Sequence, residues 1–444
     1  MTGHLLAIPT NRLSEVAISS LGEEARRLES FASGPITLAV IDEGGSSVQE
    51  HNRTALALAA KGLTKTAVLH VPAATLDSIS SECMSEANFD WPPEDPTDSI
   101  CYGRAANRLT ILATLLNADY VHRRDSDVAL SANLRARAAY PIEVEARFLG
   151  KTVSETEALP GSAEHRGQSV LLVGGGYTGA WAVRFEELAE QDLNAVHDLI
   201  HLVRPWAKRS DIEKSVDERF VKGCQAVYDK DEFAFLKDTF IEGGNMAIER
   251  TLFALPFSPA IGVSGTDYLY HAVLNRFGQP MLSHNRRLHH EHGAERATEQ
   301  AQQSYQLLLA RYRCAARYYS HVYQALEASA AVAFVAGELN TSLIADAIER
   351  ASELDLVAEE HEVLTRLVEI FTRCAAPQFR SVGAWLESKR GTIVGRARGD
   401  LRRHGRLIRA WRPFLSAVAQ RELRSTDDVQ VIRRRNYNSS RPVL

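Results

Sequence analysis

Short apolar runs ending in turn residues alternate with helically spaced apolar positions through the first 130 residues. "HLLAIP" (4–9) is an apolar run stopped at Pro9 and followed by "TNR", and residues 13–32 carry helical spacing. "PITLAVIDEGG" is a buried-strand pattern closed by the turn Asp42-Glu43-Gly44-Gly45. Residues 48–62 predict a helix ending near Gly62, and "KTAVLHVP" predicts a third strand. Such alternation implies parallel βαβ units with right-handed crossovers. "NFDWPPEDPTDS" (88–99) is too rich in proline and acid for an element interior and predicts a loop. An amphipathic helix over 103–117 then leads into the strand "DYVHR" and the acidic "DSD". Further on, "YPIEVEARFLG" (140–150) alternates like a strand with one exposed face, and "SVLLVGGG" (169–176) reads as a buried strand. Residues 180–203 predict a helix, "EGGNMAI" (242–248) a glycine turn and "QPMLSH" a strand.

From about residue 296 the pattern changes to long helices with few glycines, as in "TEQAQQSYQLLLARYRCAARYYSHVYQAL". The boundary is placed there, giving an α/β catalytic domain over 1–295 and a helical region over 296–444. A chain of 444 residues, 45% hydrophobic, is long enough for two or three domains' worth of core. A net charge of −5 supplies no basic field for nucleic acid. The five cysteines are scattered without a C-x-x-C pair, which points to a reducing cytoplasm and not to a disulfide framework. "MTGHLLAIPTNRL" lacks the layout of a signal peptide, and no run of eighteen apolar residues predicts a membrane span. In the arginine-rich "RRHGRLIRAWRPFL", Leu407, Ile408, Trp411 and Leu415 form a stripe. Packing on the catalytic domain is the expected use of that stripe, with an interfacial helix as the second possibility. The C-terminal helices also offer a surface for self-association.

Asp125 and Asp127 follow a strand at the expected mouth of a parallel sheet, where ligands of open α/β sheets bind. If the segment is extended, alternate residues share a side, so both carboxylates can face one cation. A divalent, oxygen-liking ion, Mg²⁺ or Mn²⁺, would offset their repulsion and carry phosphates. The order of motifs resembles glycosyltransferases of the GT-A fold, family 2-like, across residues 4–293. The resemblance rests on "AIPTNR", "AVIDEGG", "GRAANRLTILATLL", the D-x-D itself and "FIEGGNMAIERTLFALPF" through "GTDYLYHAVLNRFGQPMLSHNRRLHHEHG". It implies a Rossmann-like nucleotide-binding sheet and a nucleoside-diphosphate sugar as donor. Thr10 and Arg12 would then meet base or ribose, Asp42 a ring N–H, and Arg104, Asn107 and Arg108 the diphosphate side. Asp125 and Asp127 would hold the metal, completed by His290 or His292. Asp267 matches the family's acidic position and is the candidate base, although a helix-capping role suits it equally. The chain departs from the family in lacking D-G-S after the second strand, and in having Thr266-Asp267 where Glu-Asp is usual.

Gly175 and Gly176 would let the backbone approach the donor sugar, with Tyr177 or Trp181 packed against it, and Asn245 would serve the acceptor side. "GGGYTG" (174–179) also satisfies the G-x-G-x-x-G dinucleotide fingerprint, which keeps a nicotinamide- or flavin-dependent oxidoreductase open. The sequence is also compatible with a nucleotidyltransferase making sugar nucleotides and with a non-catalytic binding protein. The expected activity is transfer of a sugar to a metabolite, peptide or glycan, with inversion resting on Asp267.

Overall fold

The computed structural model describes residues 2–86, 101–156, 159–180, 185–204, 207–235, 241–291, 298–421 and 430–433. The predicted loop over 88–99 therefore lies outside the described residues. The strands are β1 (His4–Thr10), β2 (Ile36–Asp42), β3 (Thr66–Pro72), β4 (Tyr120–Arg124), β5 (Val128–Ala129), β6 (Leu172–Gly179), β7 (Phe233–Phe235), β8 (Asn245–Glu249), β9 (Met281–His290), β10 (Phe334–Val335), β11 (Glu338–Leu339) and β12 (Gln430–Arg433). Among them, β10 and β11 form a separate hairpin, and the rest build one sheet in the order β12-β3-β2-β1-β4-β8-β6-β9-β5, with β7 pairing β9.

The half β3-β2-β1-β4 is parallel throughout. β8 runs antiparallel to both β4 and β6, and β6 runs parallel to β9. The carboxyl ends of β1, β2, β3, β4, β6 and β9 therefore share one edge of the sheet. β1 and β2 are buried nearly throughout because helices cover both faces, which explains their continuous apolar runs. The helix Glu15–Glu29 turns Ala17, Ile18, Leu21, Ala25 and Leu28 into that core. This is the α/β architecture expected from the sequence, with a Rossmann-like parallel half and a helical C-terminal region.

One core runs across residue 295. Leu5, Val121 and Ile248 of the sheet share it with Leu407, Ile408 and Trp411 of the helix Ala397–Val418. Trp411 Nε1 donates to the Phe253 carbonyl at 2.7 Å, and His404 Nε2 donates to the Pro256 carbonyl at 3.0 Å. The apolar stripe of this helix is thus spent inside the molecule. No helix among the described residues is long and apolar enough to cross a membrane.

Residues 140–150 depart from expectation, because Pro141–Phe148 is a helix. Pro141 starts it with φ already suited to a helix, and the Glu143 carboxylate accepts the Tyr140 N–H at 3.1 Å. Ile142 and Val144 enter two different cores, which mimics strand alternation. The residue after them, Glu145, is buried for a polar reason that hydropathy does not register.

That reason is an ionic junction. Arg124 donates to Glu24 through Nε at 2.8 Å and Nη2 at 2.9 Å, and reaches Glu145 at 3.0 Å. His122 Nδ1 donates to Glu145 at 2.7 Å, and its Nε2 accepts from His4 Nδ1 at 3.0 Å. Burial by itself would raise the Glu145 carboxyl, but Arg124 and His122 outweigh it and hold the group down. Removing the guanidinium leaves two buried carboxylates without a counter-charge. Arg124→Leu is expected to cost roughly 3–5 kcal/mol of unfolding free energy, read from the urea midpoint.

Among the described residues, His4, His271, His284 and His404 are buried. Burial lowers His4 and His271 to about 3, and His284 and His404 to about 4, from the ordinary value near 6.5. Below about pH 6.5 the unfolded chain binds protons that the folded chain refuses, so stability falls with pH down to about 4. Each of these histidines contributes up to about 1.4 kcal/mol per pH unit in that window. Urea midpoints measured from pH 7.5 to pH 5 should therefore decline steeply.

Candidate functional site

The acids of "DSD" sit in a turn, not in an extended segment. β4 ends at Arg124, residues 125–127 reverse the chain, and β5 begins at Val128. The alternation argument therefore fails here, and the two carboxylates take different partners. Asp125 Oδ1 accepts from Arg123 Nε at 3.2 Å and Nη2 at 2.9 Å, while Oδ2 accepts from the Tyr177 hydroxyl at 3.2 Å. Asp127 Oδ2 lies 3.6 Å from Arg12 Nη1, and Oδ1 lies 3.6 Å from His290 Nε2.

Strand register brings His290 to this turn. β9 runs to its carboxyl end at His290, which pairs with Val128 of β5 on one side and Gly179 of β6 on the other. The Glu291 N–H donates to the Asp127 carbonyl at 2.7 Å and closes the junction. The His290 Nδ1–H donates to the Ala180 carbonyl at 2.8 Å, so Nε2 is the nitrogen that faces Asp127. An imidazole nitrogen and a carboxylate oxygen are thereby brought to one side of the turn, and both are groups that bind divalent cations. Metal-bound histidines usually donate their second ring N–H to a backbone carbonyl or a carboxylate, as His290 does here. The oxygen and imidazole donors thus fit Mn²⁺ or Mg²⁺ as a partial site, with water and phosphate filling the other positions. Among the described residues no three His, Cys, Asp or Glu side chains gather closely enough to hold an ion alone. His292 lies outside the described residues.

At the neighbouring strand ends the structure revises several expectations. Asp42 has 0% exposure, so it cannot meet a base in this conformation. Its Oδ1 accepts the Gly44 N–H at 2.8 Å, and Oδ2 accepts from Asn52 Nδ2 at 2.8 Å and His70 Nε2 at 3.3 Å. Through Asn52, which also bonds the Arg12 carbonyl and the Ser14 N–H, Asp42 holds the loop after β1 in shape. Thr10 ends β1 at the start of this loop, with its hydroxyl 2.7 Å from that of Ser14. Arg12 is the part of the loop that faces outward, towards Asp127.

Arg108 is likewise committed. It is bidentate to Asp77 at 2.8 and 2.6 Å, and also pairs with Glu43, leaving it 3% exposed and removed from diphosphate duty. Arg104 joins the same cluster, 3.2 Å from Asp77. Asn107 is buried and exchanges hydrogen bonds with the Phe257 backbone.

The glycines of "GGGYTG" lie inside β6, which continues to Gly179. The dinucleotide fingerprint needs its glycines at a strand-to-helix turn, so that reading is overturned. A Cβ on Gly175 would stand 2.7 Å from the His284 ring and 2.9 Å from Asn245 Nδ2. One on Gly176 would meet Arg287 Nη1 at 3.1 Å. These glycines serve close packing between strands. Asn245, fully buried, donates to the Gly176 and Arg286 carbonyls and ties β8 to β6 and β9.

Asp267 stands in the single 3₁₀ turn Thr266–Tyr268, which opens the helix Leu269–Arg276. Its side chain is outside what the structure describes. Next to it, the Tyr268 hydroxyl accepts from Arg219 Nη2 at 2.8 Å, and Arg219 pairs with buried Glu242 at 2.5 Å. Glu242 and Arg219 were not singled out from the sequence. The signal for Glu242 was present in "EGGN", an acid at the head of an apolar strand.

Tyr177, expected against a sugar, is instead 6% exposed and built into the acid site. Its hydroxyl accepts the Gly244 N–H at 2.7 Å, and its ring stacks on His290 with centroids 5.2 Å apart. Burial, with Asp125, Glu242 and Asp127 nearby, pushes the phenol well above its ordinary value, so it remains a donor. Gly244 allows this approach, since a Cβ there would lie 2.4 Å from both Asp125 Cγ and the Tyr177 hydroxyl. Gly244→Ala should lose about 1–3 kcal/mol by overpacking, whereas Gly45→Ala, with nothing within 4 Å, should stay within about 0.5 kcal/mol. Urea denaturation of the two variants checks the contrast.

Comparison with known proteins places the chain in a family without assigning it an activity. No curated protein matches it. Among solved structures, a "Mycobacterial Protein" is similar at 17% identity over 70% of this chain and 75% of that one, with a TM-score of 0.36. Glucosyl-3-phosphoglycerate synthase from Mycobacterium tuberculosis in complex with Mg²⁺ and uridine diphosphate is similar at 17% identity, covering 70% and 79%, with a TM-score of 0.35. The same enzyme with Mn²⁺, UDP-glucose and phosphoglyceric acid gives 16% identity, 70% and 80% coverage, and a TM-score of 0.33. Likeness at this level assigns nothing to this chain by itself. Residues 4–427, by contrast, match the profile described as "Family of unknown function (DUF6271)", and the chain belongs to that family.

Proposed function

We propose that this chain is a glycosyltransferase of the GT-A type, family 2-like, which moves a sugar from a nucleoside diphosphate to an acceptor hydroxyl with inversion. The observation that carries the reading is the meeting of Asp127 with His290, 163 positions later in the chain, at the carboxyl edge of the sheet. Ligands of open α/β sheets bind at such an edge.

Within this reading Asp127 and His290 hold the divalent cation, and Asp125 is the oriented carboxylate beside them. A bound Mn²⁺ or Mg²⁺ supplies charge neutralisation for the leaving diphosphate. Arg12 is half-exposed next to Asp127, and its guanidinium fork suits a phosphate. Asp267, at the start of its helix, is the base that takes the acceptor proton as the hydroxyl attacks the anomeric carbon. Glu242 and Arg219 form the polar wall between Asp267's neighbour Tyr268 and the acid turn.

Thermal unfolding in the presence of UDP, GDP, dTDP and NAD⁺, each with and without Mn²⁺, tests this. One nucleoside diphosphate should raise the melting temperature by several degrees only with Mn²⁺, and Asp127→Asn should reduce the apparent affinity more than about 10-fold. A shift given by every nucleotide without Mn²⁺, unchanged in Asp127→Asn, would contradict the assignment.

A further inference from the structure

We propose that Tyr177 is the positioning residue of the cation site, its hydroxyl orienting Asp125 and its ring orienting His290; this rests on the function proposed above. A phenol has one proton to give. The Gly244 N–H occupies the oxygen as a donor at 2.7 Å, so the phenolic proton goes to Asp125 Oδ2 at 3.2 Å. A carboxylate can only accept, which fixes the direction of that bond. Arg123 takes the opposite oxygen, and Asp125 is held between the two.

The ring of Tyr177 makes the second contact. It lies on the His290 imidazole at 5.2 Å and an interplanar angle of 29°. Together with the Nδ1–H bond to the Ala180 carbonyl, the stack holds Nε2 towards Asp127. One side chain, held within β6, thus touches both Asp125 in the turn and His290 at the end of β9. Neither of its contacts reaches a reacting atom, so its action passes through Asp125 and His290.

The test is titration of the full chain with Mn²⁺, alone and with UDP, following the electron paramagnetic resonance signal of free Mn²⁺. Tyr177→Phe keeps the ring and removes the hydroxyl, and should weaken Mn²⁺ binding about 10-fold. In an Asp125→Asn background the same change should cost no further affinity, because the hydroxyl acts through that carboxylate. Tyr177→Leu, which also removes the stack, should weaken binding more than Tyr177→Phe. Mn²⁺ affinity of Tyr177→Phe within about twofold of the parent, or losses that add in the double variant, would overturn the inference and leave the proposed function standing. A parent chain that leaves the Mn²⁺ signal unquenched with and without UDP would overturn both.

Discussion

The guanidinium of Arg124 meets two carboxylates in the interior, Glu24 from one helix and Glu145 from another, and the carboxyl edge of the sheet is organised around that meeting. Desolvating three charges is costly, and the geometry offsets it with a bidentate fork, a second acid and the His122–His4 relay. Arg124 is the last residue of β4. Its inward commitment fixes which way the strand faces as it ends, so Arg123 turns to the other face, where it pairs with Asp125. A buried junction thereby sets the position of a surface site one residue away.

The site that follows is assembled by register more than by local motif. Asp127 and His290 meet because Val128 pairs with His290 across β5 and β9. Tyr177 meets Asp125 because a glycine at 244 leaves room for the approach. The Arg12 loop is shaped from behind by Asp42 and Asn52, both of them buried. Residues that present chemistry and residues that hold them are therefore different, even where they adjoin in sequence.

The parallel half of the fold was legible because β1, β2 and β3 are buried on both faces and read as unbroken apolar runs. The C-terminal helix was legible because its stripe keeps one period from Leu407 to Trp411. Pro141–Phe148 was not, since a buried ion pair put a glutamate where a helical pattern expects an apolar residue. Of the candidate site, the acids, Arg12 and His290 were visible as residue types, and the structure brings them together. The different partners of Asp125 and Asp127 follow from a turn that D-x-D spacing alone does not reveal. Asp42 and Asn245 at strand ends, and Arg108 on the helix before the acid turn, are polar residues at positions where ligand contacts are common. Their partners Asn52, Asp77 and the Gly176 carbonyl lie 10, 31 and 69 positions away, and no local pattern reveals such pairings.

The most direct test of the central claim is anomalous diffraction at the manganese edge from crystals soaked in MnCl₂ and UDP. The account predicts a peak joined to the Asp127 carboxylate and His290 Nε2, with the diphosphate on its open side next to Arg12. A diphosphate bound away from this edge, or a manganese peak elsewhere while Asp127 and His290 still face each other with no ion between them, would contradict it.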